Sequence, residues 1–159
     1  MGRFSIASGA IAAAIFISSG ALHCAAQEQD RGYWRAASNN AASITGDITL
    51  SYAKLTINFK AFPLASIRDL KPAEVASVFD VDVNTAHQGA LYRLNVPGSL
   101  RILHHNTLCG SDDTQWMATY LSDPKTLQVA FFSGDETPVF TFDAISHTGR
   151  LCGTYTYVR

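Results

Sequence analysis

From Ile44 to the C-terminus the chain is written in short runs of alternating apolar and polar residues, broken at close intervals by turn formers. Ile44, Ile48 and Leu50, then Leu55, Ile57 and Phe59, recur on one side of polar neighbours. Gly46-Asp47 and Ser51-Tyr52 mark turn or bulge positions between them. A period of two is that of a half-buried strand, because successive side chains point to opposite faces. The same pattern predicts strands at Ala90–Val96, Ser99–His104, Thr114–Leu121, Thr126–Phe132, Val139–Phe142 and Leu151–Val158. Pro97-Gly98, Ser122-Asp123-Pro124, Ser133-Gly134-Asp135 and His147-Thr148-Gly149 separate them. Many short strands joined by tight turns predict a mainly β protein: a small antiparallel barrel or sandwich of about eight strands. A barrel leaves no unpaired edge.

One segment has a different period. Leu70 to Phe79 carries Pro72 near its start and apolar side chains at helical spacing. Proline suits the first turn, where its missing N–H costs nothing, and Glu74 suits the positive end of the dipole. The spacing predicts one short helix with Asp69 as N-cap and Leu70, Val75 and Val78 or Phe79 on its buried face.

The first residues belong to another category. Met1-Gly2-Arg3 is followed by a chargeless run to Glu28 and by the small residues Cys24-Ala25-Ala26. One positive residue, a short apolar stretch and a small-residue cleavage site form the layout of a secretory signal peptide. The expected organisation is a cleaved leader over 1–26, a flexible lead-in over 27–31 and one β domain over 32–159. The expected location is the periplasm or the exterior. Of the three cysteines, Cys24 would leave with the leader. Cys109 and Cys152 remain as a matched pair that an oxidising compartment would join.

Twelve basic and thirteen acidic side chains nearly balance, and no Lys/Arg stripe marks a nucleic-acid or anionic-membrane face. Asp80-Val81-Asp82-Val83-Asn84 starts like a calcium loop, but Thr85 and Leu91 stand where Gly and Glu are needed. It reads instead as a strand with its acids in water. His104 and His105 on one strand would face opposite ways, and no metal-ligand spacing involves them. Gly110-Ser111-Asp112 lacks the frame of a nucleophile elbow. No cofactor, metal or catalytic group is expected.

Gly32-Tyr33-Trp34, at the start of the first ordered strand, resembles the Gly-x-Trp signature of lipocalins and other calycin barrels. The resemblance covers these three residues. The family's Thr-Asp-Tyr element is absent, and Arg150 is the candidate for the late basic residue that stacks on the Trp. The resemblance implies an eight-stranded up-and-down barrel whose Trp crosses the closed end and whose cavity holds a small apolar ligand. Aromatic residues at matching positions give candidate ligand contacts: Trp116 and Tyr120 on one strand face, Phe140 and Phe142 on another. The expected function is that of an exported, non-enzymatic binding protein. The alternative is a protein-binding module, such as an inhibitor of an extracellular hydrolase or an envelope-assembly subunit, with Pro97–Asp113 as its contact region.

Overall fold

The computed structural model describes residues 29–159. The leader expected over 1–26 lies outside them. Eight antiparallel strands close into an up-and-down barrel in which each pairs with the next and the last returns to the first. They are β1 (Gly32–Ala36), β2 (Ile48–Leu50), β3 (Lys54–Ile57), β4 (Lys60–Leu70), β5 (Gly89–Val96), β6 (Thr114–Asp123), β7 (Thr126–Ser133) and β8 (Leu151–Val158). Closure rests on Arg35 opposite Val158 and Ala36 opposite Tyr157. Among the described residues, no helix is long and apolar enough to cross a membrane.

Up-and-down connectivity sends alternate turns to opposite ends. The lower end carries residues 29–31, the β2–β3 and β6–β7 turns, the β4–β5 connection and the C-terminal Arg159. The upper end carries residues 37–47, the β3–β4 turn, the 97–113 connection and residues 134–150.

The expected helix forms as α1 (Pro72–Phe79) with Val75, Val78 and Phe79 buried, and Leu70 before it fully buried. Its N-cap is Lys71 rather than Asp69. Glu74 Oε2 accepts the Lys71 N–H at 2.9 Å, so the N–H of the N-cap residue is satisfied from within the first turn of the helix. The Arg68 guanidinium also grips Glu74 with two bonds of 2.7 and 2.8 Å, holding that carboxyl below its ordinary range.

Several strand expectations fail for local reasons. Phe59, expected in one row with Leu55 and Ile57, stands instead in the left-handed region (φ 63°) of the turn after β3 and is fully exposed. Ile44 belongs to a π-helical turn over Ala41–Thr45, where the Thr45 hydroxyl bonds back to the Ala41 carbonyl at 3.1 Å. Leu103–His105 is a tight turn with His104 and His105 left-handed, closed by the Asn106 N–H on the Leu103 carbonyl at 2.9 Å. Phe142–His147 is a short helix, α2, because the Thr141 hydroxyl accepts the Ala144 N–H at 3.3 Å. Residues 80–84 are likewise no strand. Asp80 ends α1 in the left-handed region (φ 52°), and Asp82 then turns the chain by accepting the Asn84 N–H at 2.8 Å.

The apolar residues sort into two layers. Trp34, Leu55, Ile57, Tyr92, Met117, Val129, Phe131, Tyr155 and Tyr157 fill the barrel, each at 2 % exposure or less. Phe131 meets Tyr155 edge to face at 5.3 Å. Ile102 and Leu108 of the 97–113 connection join this core from the upper end. The second layer lies outside β5–β7: Leu91, Trp116, Ala118, Tyr120, Ala130 and Phe132 are roofed by α1 and by Phe140. Strands covered on both faces are apolar on both, which is why Ala90, Leu91 and Tyr92 are buried in succession.

Cys109 and Cys152 are disulfide-bonded, with Cα atoms 4.9 Å apart. The bond fastens the 97–113 connection to the start of β8 at the upper end.

Candidate functional site

Below the barrel, between the β4–β5 connection and the β6–β7 turn, opens a cleft of about 690 Å³. Pro72, Ala86, Leu121 and Pro124 give it apolar walls, and Asp30, His87, Gln88 and Ser122 give it polar ones. Gly89 lies at the base, where β5 runs so close to β6 that a Cβ would sit 2.4 Å from the Thr119 carbonyl oxygen. Only glycine permits that approach.

Asp30 is the unusual member of the lining. It falls in the stretch expected as a flexible lead-in, yet it is 2 % exposed. Its Oδ2 accepts the Tyr92 hydroxyl of β5 and the Thr119 hydroxyl of β6, both at 2.8 Å. Its carbonyl accepts the Trp34 indole N–H at 2.7 Å. Its Oδ1 is buried with no hydrogen-bond partner among the described residues. Burial raises the carboxyl above its ordinary value, and the bonds from Thr119 and Tyr92 and the nearby Arg31 charge offset this only in part. The Tyr92 phenol is pushed far up by burial and by the Asp30 charge.

The lower end is braced by the last residue of the chain. The Arg159 guanidinium stacks 4.2 Å above the Trp34 ring and donates to the Gln29 carbonyl at 2.7 Å. The stacking role expected of Arg150 therefore falls to Arg159. Arg150 sits at the upper end beside Glu136, at 3.1 Å.

The four aromatic residues selected from the sequence do not line the barrel. Trp116 lies on its outer side, beneath the Arg93 guanidinium at 4.5 Å, and donates to the Gly134 carbonyl at 3.0 Å. Tyr120 is also outside, against Phe79 with ring centres 5.7 Å apart, and borders the cleft. Phe140 packs edge-on against Phe132 at 5.7 Å. Phe142 is 70 % exposed. Phe140 and Phe142 share a shallow groove beside α1 rather than a strand face. Alternation states which residues share a face, but not which face looks inward.

Asp30 and Thr119 escaped the sequence reading. The available signal was Thr119 itself: it sits in the inward row Met117–Thr119–Leu121, where a hydroxyl needs a buried partner. A carboxyl held by two hydroxyls beside amide, imidazole and apolar surface can accept hydrogen bonds from a ligand and can neutralise a cation. Among the described residues no group of three or more His, Cys, Asp or Glu side chains could hold a metal ion. No family model matches this chain, and no curated protein or solved structure matches it significantly.

Proposed function

We propose that this is an exported, non-enzymatic binding protein whose ligand is a small amphipathic molecule held in the cleft at the foot of the barrel. The observation that carries the reading is Asp30, a buried residue in the lining of that cleft whose Oδ1 has no hydrogen-bond partner among the described residues. A buried acceptor left unmade costs about 1–3 kcal/mol, which a ligand donor can recover. The volume lies in the range of small-molecule sites, which combine apolar walls with a few convergent polar groups. The apolar part of the ligand lies along Ala86, Leu121 and Pro124, and its donor or cationic group reaches Asp30. The barrel interior is a poorer site, because Trp34, Tyr92, Phe131 and Tyr157 already occupy it. Export is supported by the leader-like first 26 residues and by a disulfide of the kind that persists in oxidising compartments.

The test is native mass spectrometry of the processed protein from a Gram-negative periplasm, followed by rebinding of the released molecule. The expected result is a non-covalent adduct that shifts backbone amide signals at residues 86–90 and 119–123. Asp30→Asn should weaken its affinity at least about tenfold with the fold intact. An adduct that instead shifts Phe131 and Tyr155, or binding indifferent to Asp30→Asn, contradicts the reading.

A further inference from the structure

At the opposite end of the barrel, β3 and β4 are joined by a two-residue turn, Asn58-Phe59, with both residues left-handed (φ 45° and 63°). Such turns match the twist of a hairpin, and the second position is ordinarily glycine. Here it is Phe59, fully exposed to water. A bulky residue in the left-handed region is strained, and an exposed phenyl ring gains nothing from burial to offset it. The next residue, Lys60, reaches across to the Arg101 carbonyl at 3.1 Å, which ties the hairpin to the 97–113 connection.

That connection is itself braced. The Cys109–Cys152 disulfide holds one side, and Asp113 accepts the Gly98 N–H at 2.8 Å on the other. Between these anchors His104 and His105 also stand exposed in left-handed conformations (φ 51° and 62°). The hairpin tip and the 97–113 connection thus form a fixed projection, with Phe59 as its bare aromatic ring and the exposed basic side chains Lys60 and Arg101 near it.

We propose that this tip docks on a partner protein, with Phe59 entering an apolar pocket whose acidic rim meets Lys60 and Arg101. Strain held at a rigid tip fits a shaped pocket, which rewards one fixed direction of the ring. A lipid surface accepts an aromatic residue in any orientation and gives no reason to hold one in the left-handed region. The site lies at the end of the barrel remote from the Asp30 cleft, so the two can fail independently.

The test places a photo-crosslinking phenylalanine analogue at position 59 in the cell that makes the protein, with position 52 at the lower end as control. The expected result is one protein captured from position 59 only. Purified, it should bind the wild type and lose at least about tenfold in affinity with Phe59→Gly or Lys60→Glu. Phe59→Gly should unfold at the same or a higher temperature, which separates lost docking from lost folding. Asp30→Asn should bind as wild type does. Capture only of lipid, with binding to phosphatidylglycerol vesicles that Phe59→Gly abolishes, would overturn the proposal in favour of a membrane. Equal capture from both positions, no capture, or a partner indifferent to Phe59→Gly would overturn it outright.

Discussion

The guanidinium of Arg159, the last residue of the chain, lies 4.2 Å above the indole ring of Trp34, near the start of the first strand. It also donates to the carbonyls of Gln29 and Pro124, at 2.7 and 3.2 Å, so one side chain joins the segment before β1 to the β6–β7 turn. A cation over a buried Trp contributes from about 0.5 to 2 kcal/mol, and charge-assisted bonds add to it. Arg159→Ala should therefore destabilise the fold by about 2 kcal/mol in urea unfolding. Arg150→Ala, whose partner Glu136 is 84 % exposed, should change stability by less than about 0.5 kcal/mol. Equal losses from both would show that the stack contributes nothing.

The disulfide closes a loop between residues 43 apart. In the chain-entropy treatment that constraint is worth about 4 kcal/mol, a large share of the ~5–15 kcal/mol of a typical domain. The double variant Cys109→Ser/Cys152→Ser should lose stability of that order, with its denaturation midpoint falling accordingly. A loss below about 1 kcal/mol would mean that the loop is held by its other contacts, such as the Asn106 side chain on the Ser43 carbonyl at 3.0 Å.

Asp30 should make stability fall as pH rises. Its carboxyl is raised above an ordinary value near 3.8 because burial penalises the charged form. Well below the ordinary value the group is protonated in both folded and unfolded chains and costs nothing. Between the unfolded and folded values only the folded state keeps the proton, so stability falls by up to about 1.4 kcal/mol per pH unit. Above the folded value the penalty is complete. Asp30→Asn removes the titration while keeping an acceptor for Tyr92 and Thr119. Its stability relative to wild type should thus improve from about pH 3 upward. Parallel pH profiles would contradict the burial penalty.

Much of the fold was legible because strands and turns are local. The rows through Ile48 and Leu50, Leu55 and Ile57, and Met117 to Leu121 can be read from residue type alone, as can Pro72 at the head of α1. The disulfide followed from pairing two cysteines. Less could be read where both faces of a strand are apolar. Trp116 and Tyr120 share one face of β6, as alternation requires, but α1 roofs that outer side, and the roof is a tertiary fact. Val139–Phe142 alternates like a strand, yet a threonine cap at Thr141 starts a helix there. Asp30 was hidden for a different reason. Beside Glu28 and Arg31 it resembles a solvated charge, and only closure of the barrel brings it to Tyr92 and Thr119, residues 62 and 89 positions away.

The central claim is a buried carboxyl at the foot of a filled barrel, ready to meet a ligand. Its most direct test is the titration of the Asp30 carboxyl carbon by ¹³C NMR in the ligand-free protein. The predicted result is a midpoint above the ordinary value near 3.8, moving down when a cationic ligand occupies the cleft. A midpoint at or below that value would place Asp30 in water or in an ion pair, and would contradict both the buried acceptor and the site built on it.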